Sequence, residues 1–160
     1  MTTPKFILEL REKIGHDPLW LPGITAVVLD EDERVLLVRR ADDGRWTLIA
    51  GVLEPGEDPG PAILREIEEE TGVEAEIERL VSIEAMPPSA YPNGDQVQFL
   101  DLCFRCRPLS GEARVNDDES LEVGWFALDA MPQLPHREQR CLANALSPDP
   151  LPKYTGRPAG

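Results

Sequence analysis

The stretch GVLEPGEDPGPAILREIEEETGV, residues 51–73, predicts one helix with clear ends. Pro59 and Pro61 suit the first helical turn, where a missing N–H group costs little. Gly72 suits the left-handed position just past the last turn. These signals place a single central helix between two short loops.

Acidic residues crowd the second half of this helix. At about 100° per residue, Glu70 lies about 40° to one side of Glu66 and Glu69 about 60° to the other, so the three share one face. Glu68 falls on the far side and is expected to face solvent. The adjoining apolar arc, which can dock on a sheet, comprises Ile63, Leu64, Ile67 and Thr71.

The grouping of Glu66, Glu69 and Glu70 is unfavourable for the helix by itself. Like charges three or four residues apart destabilise a helix, and negative charge near its C-terminus opposes the helix dipole. A divalent cation resolves this conflict, because Mg²⁺ or Mn²⁺ prefers carboxylate oxygens as ligands. The alternative is a solvated acidic face without a metal.

The rest of the chain alternates short apolar runs with turns, which predicts strands and two further helices. Predicted helices cover the segment from Phe6 to Ile14 and residues 138–146, and predicted strands lie near residues 24–29, 35–38, 77–83, 97–106 and 123–128. The charged segment DEDER is predicted to join the first two strands as a hairpin. This pattern favours an α/β or α+β sandwich with mixed strand order.

We expect one domain over residues 1–146, with an N-terminal extension over 4–22 and a core over 23–146. The Pro-rich segment 147–160 is predicted to be an extended or loosely ordered tail.

The composition excludes several classes of partner. The chain of 160 residues carries a formal charge of −14, which disfavours a grip on the backbone of a nucleic-acid polymer. No apolar run approaches the length of a membrane span, and the N-terminal residues do not resemble a signal peptide.

The three cysteines provide no disulfide framework, which favours the cytoplasm. Cys103 and Cys106 lie three apart in a predicted strand and should point to opposite faces, so a shared metal is not expected.

The acidic helix and its flanks resemble the Nudix hydrolase signature, G-x5-E-x7-R-E-U-x-E-E-x-G-U with U aliphatic. Every specified position of the signature is matched between residues 51 and 73. The flanking runs VLLVRRADDGRWTLIAG and SLEVGWFALDAMPQLP are also similar to family members, over residues 24–135 in all. One departure is Ile49-Ala50, where many relatives have Pro-Gly.

The resemblance implies a loop–helix–loop in an α/β/α sandwich and hydrolysis of a nucleoside diphosphate linked to a further moiety. Carried over by position, Glu69 and Glu70 are expected to bind Mg²⁺ or Mn²⁺, and Glu66 to act as a ligand or proton acceptor. Arg65 is expected to orient carboxylates, with Glu57 as its partner or as an outer-sphere ligand. An ordinary ion pair within the helix explains Arg65 equally well.

The reaction that the resemblance implies is in-line attack by a metal-activated water on a pyrophosphate bridge. The proton acceptor is open between Glu66 and the acidic stretch 117–119, in which Glu119 is a candidate site residue. Arg39 and Arg40 are candidate phosphate contacts, but adjacent strand residues point to opposite faces, so one at most should face the site. Tyr91 is a candidate for stacking on a base, with a role in the core as the alternative.

The substrate stays open in the sequence. ADP-ribose or another nucleotide sugar leads on resemblance, and oxidised nucleoside triphosphates and dinucleoside polyphosphates remain alternatives. A Nudix-fold sensor that binds a nucleotide or ADP-ribose without cleaving it is the competing function. The family also implies a possible homodimer through the N-terminal helix and strand.

Overall fold

The computed structural model describes residues 3–159, so residues 1, 2 and 160 of the predicted domain and tail lie outside it. The helices are α1 (Lys5–Ile14), α2 (Pro59–Thr71) and α3 (His136–Leu146). The strands are β1 (Leu19–Val28), β2 (Val35–Arg40), β3 (Trp46–Thr47), β4 (Ile49–Val52), β5 (Glu74–Ala85), β6 (Ser89–Ala90), β7 (Gln96–Ser110) and β8 (Ser120–Phe126).

Two sheets organise the described residues. The large sheet has the order β4-β1-β7-β5, with β6 paired to β7, and the small sheet has the order β3-β2-β8. Strands β1 and β7 run parallel, whereas the other pairs are antiparallel. The prediction of an α/β architecture with a mixed sheet is confirmed.

Helices cover both faces of the large sheet. On one face, Ile63 and Ile67 of α2 pack in a cluster with Ile24 and Val28 of β1. On the other face, α3 packs over Val27 and the neighbouring strands. Strand β1 is buried on both faces, which explains why it reads as a continuous apolar run.

The two cysteines of β7 separate as predicted. Cys103 belongs to the cluster beneath α3, whereas Cys106 belongs to the cluster beneath α2. Residues three apart on a strand face opposite sides, so the two thiols cannot share a ligand.

The predicted hairpin between β1 and β2 forms only next to its turn. A single bridge joins Leu29 to Val35, after which the two strands enter different sheets. Both edges of β1 are already occupied, by β4 on one side and β7 on the other. Strand β2 therefore pairs with β3 and β8, and a cleft opens between the sheets.

The C-terminal segment is extended and lies against the edge of β5. The N–H of Lys153 donates to the carbonyl of Val81 at 2.9 Å, and its carbonyl accepts from the N–H of Ile83 at 3.0 Å. Within the segment, Arg157 forms an ion pair with Asp149. The tail thus covers part of an otherwise open strand edge.

None of the helices within residues 3–159 is long and apolar enough to cross a membrane.

The docking of α2 on the large sheet gives a first prediction. Ile67→Ala should lower the free energy of unfolding by about 2–5 kcal/mol, because the wild-type side chain is fully buried and the variant leaves a cavity. Ile83→Ala, the same change at a residue 36% exposed, should cost far less. Urea denaturation followed by circular dichroism measures both, and equal losses would contradict the packing described.

Candidate active site

Helix α2 has the termini that its sequence predicts. It begins at Pro59 after the extended residue Asp58 and ends at Gly72, which has a φ of 73°. The N–H of Gly72 donates to the carbonyl of Glu68 at 2.8 Å. A residue with a side chain would be strained in this left-handed conformation, so the glycine ends the helix two residues after Glu70.

The acidic residues of α2 divide into a buried pair and an exposed pair. Glu66 and Glu70 are 8% and 7% exposed, whereas Glu68 and Glu69 face solvent. The predicted common face is therefore split, because Glu69 turns toward Arg65 one turn earlier, at 3.6 Å.

Gly51 makes room for the carboxyl group of Glu66. A methyl group at this position would lie 3.0 Å from Cδ of Glu66, which is tighter than nine in ten such contacts in proteins, so the side chain of Glu66 would have to shift. Burial raises the pKa of Glu66, and the negative charge of Glu69 adds to the rise. Because this glycine of the signature has no side chain, β4 can lie close to α2.

Arg65 links the loop before α2 to the acidic face. It forms an ion pair with Glu57 and approaches Glu66 at 3.5 Å and Glu69 at 3.6 Å. Glu57 in turn accepts a hydrogen bond from the N–H of Glu54 at 2.9 Å. The hydrogen bond from Arg65 holds the pKa of Glu57 below its ordinary value. The cross-loop pair and the intrahelical pair are therefore both present.

Glu70 is the most perturbed carboxyl group of the helix. Burial raises its pKa to about 8, with further contributions from Glu66 and Asp117. Its Oε2 atom is buried and accepts no hydrogen bond from the described residues. A buried oxygen without a donor is costly and indicates a missing partner at this point.

Two loop carboxylates complete an acidic group around Glu70. Carboxylate oxygens of Glu70, Asp117 and Glu119 all lie within 4.8 Å of one another. Glu66 and Glu69 lie outside this group. Such a set of oxygen donors around an unpartnered oxygen suits a divalent cation.

The loop that carries Asp117 and Glu119 is hydrogen-bonded to the C-terminal end of α2. The N–H of Arg114 donates to the carbonyl of Thr71 at 2.9 Å, and the side-chain amide of Asn116 donates to the carbonyl of Glu68 at 2.9 Å. These contacts use the carbonyl groups that a helix leaves free at its C-terminus. The sequence drew attention to residues 117–119 as a source of a proton acceptor, but only the fold brings Asp117 to Glu70.

A cavity of about 590 Å³ extends from Glu70 between the two sheets to α1. Of the sequence candidates, Arg40, Tyr91 and Glu119 line it together with Glu70. Arg39 does not line the cavity, because it points to the opposite face of β2. There it donates to the carbonyl of Gly44 at 3.0 Å and pairs with Glu122.

The departure Ile49-Ala50 is accommodated within β4. Ile49 is buried in the cluster beneath α2, and Ala50 lines the cavity opposite Thr25 of β1.

A buried glutamate of α3 fixes another wall of the cavity. Glu138 is 4% exposed, and its Oε1 atom accepts a hydrogen bond from the N–H of Leu48 at 2.6 Å. Burial raises the pKa of Glu138 to about 7. Arg137, the preceding residue, lines the cavity. Sequence reasoning missed both residues, because no motif or spacing distinguishes them from other charged helix residues.

The comparisons with known proteins support the family that the signature predicts. The NUDIX domain profile matches residues 20–145, and the chain belongs to the NUDIX family.

The chain is also similar to individual proteins of this family. The chain is 38% identical over 112 residues to a MutT-like protein of Streptomyces ambofaciens, covering 70% of this chain and 67% of that protein. It is 36% identical over 115 residues to the human 8-oxo-dGDP phosphatase NUDT18, covering 68% of this chain and 33% of that one. The crystal structure of a MutT NUDIX hydrolase from Burkholderia pseudomallei superposes with a TM-score of 0.64 at 30% identity, covering 79% of this chain and 98% of that chain.

The chain thus spans about two thirds of the Streptomyces protein and about one third of the human one.

Glu70→Gln should separate metal binding from folding. The variant should bind Mn²⁺ at least about tenfold more weakly, a loss typical even of residues that only support a metal ligand. Without metal its free energy of unfolding should stay level or rise by about 1 kcal/mol, because a buried acid without a partner is replaced by an amide. Isothermal titration and urea denaturation measure the two effects.

Glu68→Gln is the matched control, because Glu68 lies on the same helix but is exposed. It should leave Mn²⁺ affinity unchanged. Equal affinity of wild type and Glu70→Gln would contradict a metal site at the end of α2.

Glu138 gives a prediction on pH. Its pKa in the folded protein lies above the ordinary value of 4.5, so its contribution to stability is present below about pH 4.5 and is lost as the pH rises through about 7. Glu138→Gln keeps an oxygen for the N–H of Leu48 and should remove this loss, which amounts to at most about 3 kcal/mol. Denaturation between pH 4.5 and 8 should show a flatter profile than wild type. The exposed control Glu12→Gln should keep the wild-type slope.

Proposed function

We propose that this chain hydrolyses the diphosphate linkage of a nucleoside diphosphate joined to another moiety, with Mg²⁺ or Mn²⁺ as cofactor. One observation carries the proposal: buried Glu70, whose Oε2 atom has no hydrogen-bond partner among the described residues, lies close to the carboxylates of Asp117 and Glu119 and lines the cavity. Membership of the NUDIX family and the names of the similar proteins support it.

The residues present fit a divalent cation. Glu70, Asp117 and Glu119 would hold it, with Glu66 beside them and Glu69 as a further ligand candidate on the exposed side. When bound, such an ion lowers the pKa of water and neutralises charge on phosphoryl oxygens.

The remaining site residues act on position and protons. Arg65, bound to Glu57, holds Glu66 in place and keeps positive charge beside it. Glu66 or Glu119 accepts the proton of the attacking water at a carboxylate oxygen. Arg40 is the phosphate contact that lines the cavity, although its guanidinium also pairs with Asp42.

The cavity suits a substrate of nucleotide size, because ligand sites of about 300–1,000 Å³ accommodate such molecules. ADP-ribose or another nucleotide sugar, which leads on sequence resemblance, and an oxidised nucleoside diphosphate or triphosphate are the two candidate classes. The name of the human relative supports the second class. Tyr91, 47% exposed at the cavity rim, is a candidate for stacking on the substrate.

We also propose that the protein acts on small molecules in the cytoplasm, in keeping with its three free, buried cysteines. A homodimer through the N-terminal elements is a further proposal. It is supported by three exposed apolar residues there, Leu8, Leu10 and Trp20.

Product analysis tests the proposed reaction. Wild type is incubated with Mg²⁺ and a panel of ADP-ribose, UDP-glucose, GDP, 8-oxo-dGDP and 8-oxo-dGTP, and products are separated by ion-exchange chromatography. Wild type should cleave some members. Glu70→Gln and Glu119→Gln should lower kcat at least about 100-fold, as expected when a charge that stabilises the transition state is removed.

Glu68→Gln again serves as the control and should retain wild-type turnover. If wild type binds one panel member but cleaves none, the result would contradict the hydrolase and support a nucleotide sensor. If Glu70→Gln cleaves substrate as fast as wild type, the reaction does not depend on this acidic group.

A further inference from the structure

The cavity contains a buried carboxylate that the proposed reaction does not use. Asp101 of β7 is 4% exposed and lines the cavity on the face opposite α2. Its Oδ1 atom accepts a hydrogen bond from Oγ1 of Thr25 at 2.8 Å. Among the described residues, the hydrogen-bond donor near its Oδ2 atom is the thiol of Cys141, at 3.9 Å. A thiol is a weak donor, so this carboxylate keeps accepting capacity.

Space for a ligand lies beside Asp101. Gly23 of β1 pairs with Asp101 and has no side chain to cover it. A methyl group at Gly23 would lie 3.6 Å from Oδ1 of Asp101 and 3.2 Å from Cδ1 of Phe99. The aromatic ring and the carboxylate therefore border a narrow position that stays uncovered only because Gly23 has no side chain, since even a methyl group there would crowd Phe99.

A further cation, Arg137, lines the same cavity. No hydrogen bond or ion pair of its side chain is found within residues 3–159, but its positive charge acts on two buried carboxyl groups: it opposes the rise that burial causes in the pKa of Asp101 and of Glu138. The other two arginines of the cavity are engaged: Arg40 pairs with Asp42, and Arg11 donates to backbone carbonyl groups. Arg137 is held at the cavity wall because the next residue, Glu138, binds the N–H of Leu48.

An acceptor beside a donor, with an aromatic ring at hand, matches the edge of a nucleobase. Guanine presents two neighbouring N–H donors next to the carbonyl acceptor O6. A carboxylate takes the donors, and arginine is the usual partner of O6 and N7. In adenine the amino donor is flanked by acceptors on both sides, so a carboxylate beside it meets a ring nitrogen that repels it.

We propose that Asp101 and Arg137 form a subsite that selects a guanine-type base, with Asp101 accepting its N–H groups and Arg137 donating to its carbonyl oxygen. Phe99 and the open surface at Gly23 contact the plane of the base. This inference rests on the proposed function, since it assumes a nucleotide substrate, and it names the class of base.

Binding without turnover tests the subsite independently of hydrolysis. The probes are guanosine and adenosine 5′-(α,β-methylene)diphosphate with Mg²⁺, measured by isothermal titration. Wild type should bind the guanosine analogue at least about tenfold more tightly than the adenosine analogue, since one mismatched hydrogen-bonding edge typically costs about 1–3 kcal/mol. Asp101→Asn and Arg137→Gln should each reduce this ratio to below about threefold.

Arg140→Gln is the matched control for Arg137. It lies one turn further along α3, pairs with Glu84 and does not line the cavity. This variant should keep the wild-type ratio. Gly23→Ala gives a second test should Asp101→Asn fold poorly, because its methyl group enters the open position and should weaken guanosine-analogue binding several-fold.

The outcomes separate this inference from the proposed reaction. Equal affinity of wild type for the two analogues would overturn the subsite even if the substrate panel is cleaved. Equal weakening of both analogues by Arg137→Gln would also overturn it, because Arg137 would then contact the phosphates. A guanosine preference that depends on Asp101, in a protein that cleaves nothing, would support the subsite and refute the hydrolase.

Discussion

The burial of two carboxylates at the end of α2 is the constraint on which the site depends. Glu66 and Glu70 face the sheet and the loop rather than water, although ionised groups resist burial. The surrounding structure is arranged around them. Because Gly51 has no side chain, β4 can approach Glu66 closely. The guanidinium of Arg65 places a positive charge near Glu66 on its exposed side. Glu70 keeps an oxygen without a donor, an energetic cost that a bound cation would offset.

The cavity has a different origin, in the pairing of the strands. Because β4 and β7 occupy both edges of β1, the chain cannot continue as a hairpin and β2 starts a second sheet. The cleft between the two sheets receives residues from α1, β1, β7 and α3 as well as from the acidic helix. One topological choice thus produces a single cavity that is lined by Glu70 and Glu119 of the acidic group and also by Asp101 and Arg137.

Sequence reasoning worked best where the information is local. The ends of α2, the burial of its apolar arc and the opposite faces of Cys103 and Cys106 follow from helix and strand periodicity, and the structure has each of them. The hairpin between β1 and β2 was predicted from its charged turn, but periodicity carries no information on which edge of β1 is free. Likewise, helical geometry predicted the ion pair of Arg65 with Glu69, but the burial of Glu66 and Glu70 while Glu69 stays exposed depends on where the sheet and the loop exclude water.

The sequence by itself determined the family, the acidic helix and the residues that such a helix can offer to a metal, because all of these lie within one continuous stretch. Only the tertiary structure decided that Asp117 and Glu119 join Glu70, that Arg40 rather than Arg39 lines the cavity, and that Asp101 and Arg137 line it as well. The physical reason is that these groups are separated along the chain by whole elements. Their proximity depends on the pairing of β1 with β7 and on the packing of α3, neither of which a local pattern encodes.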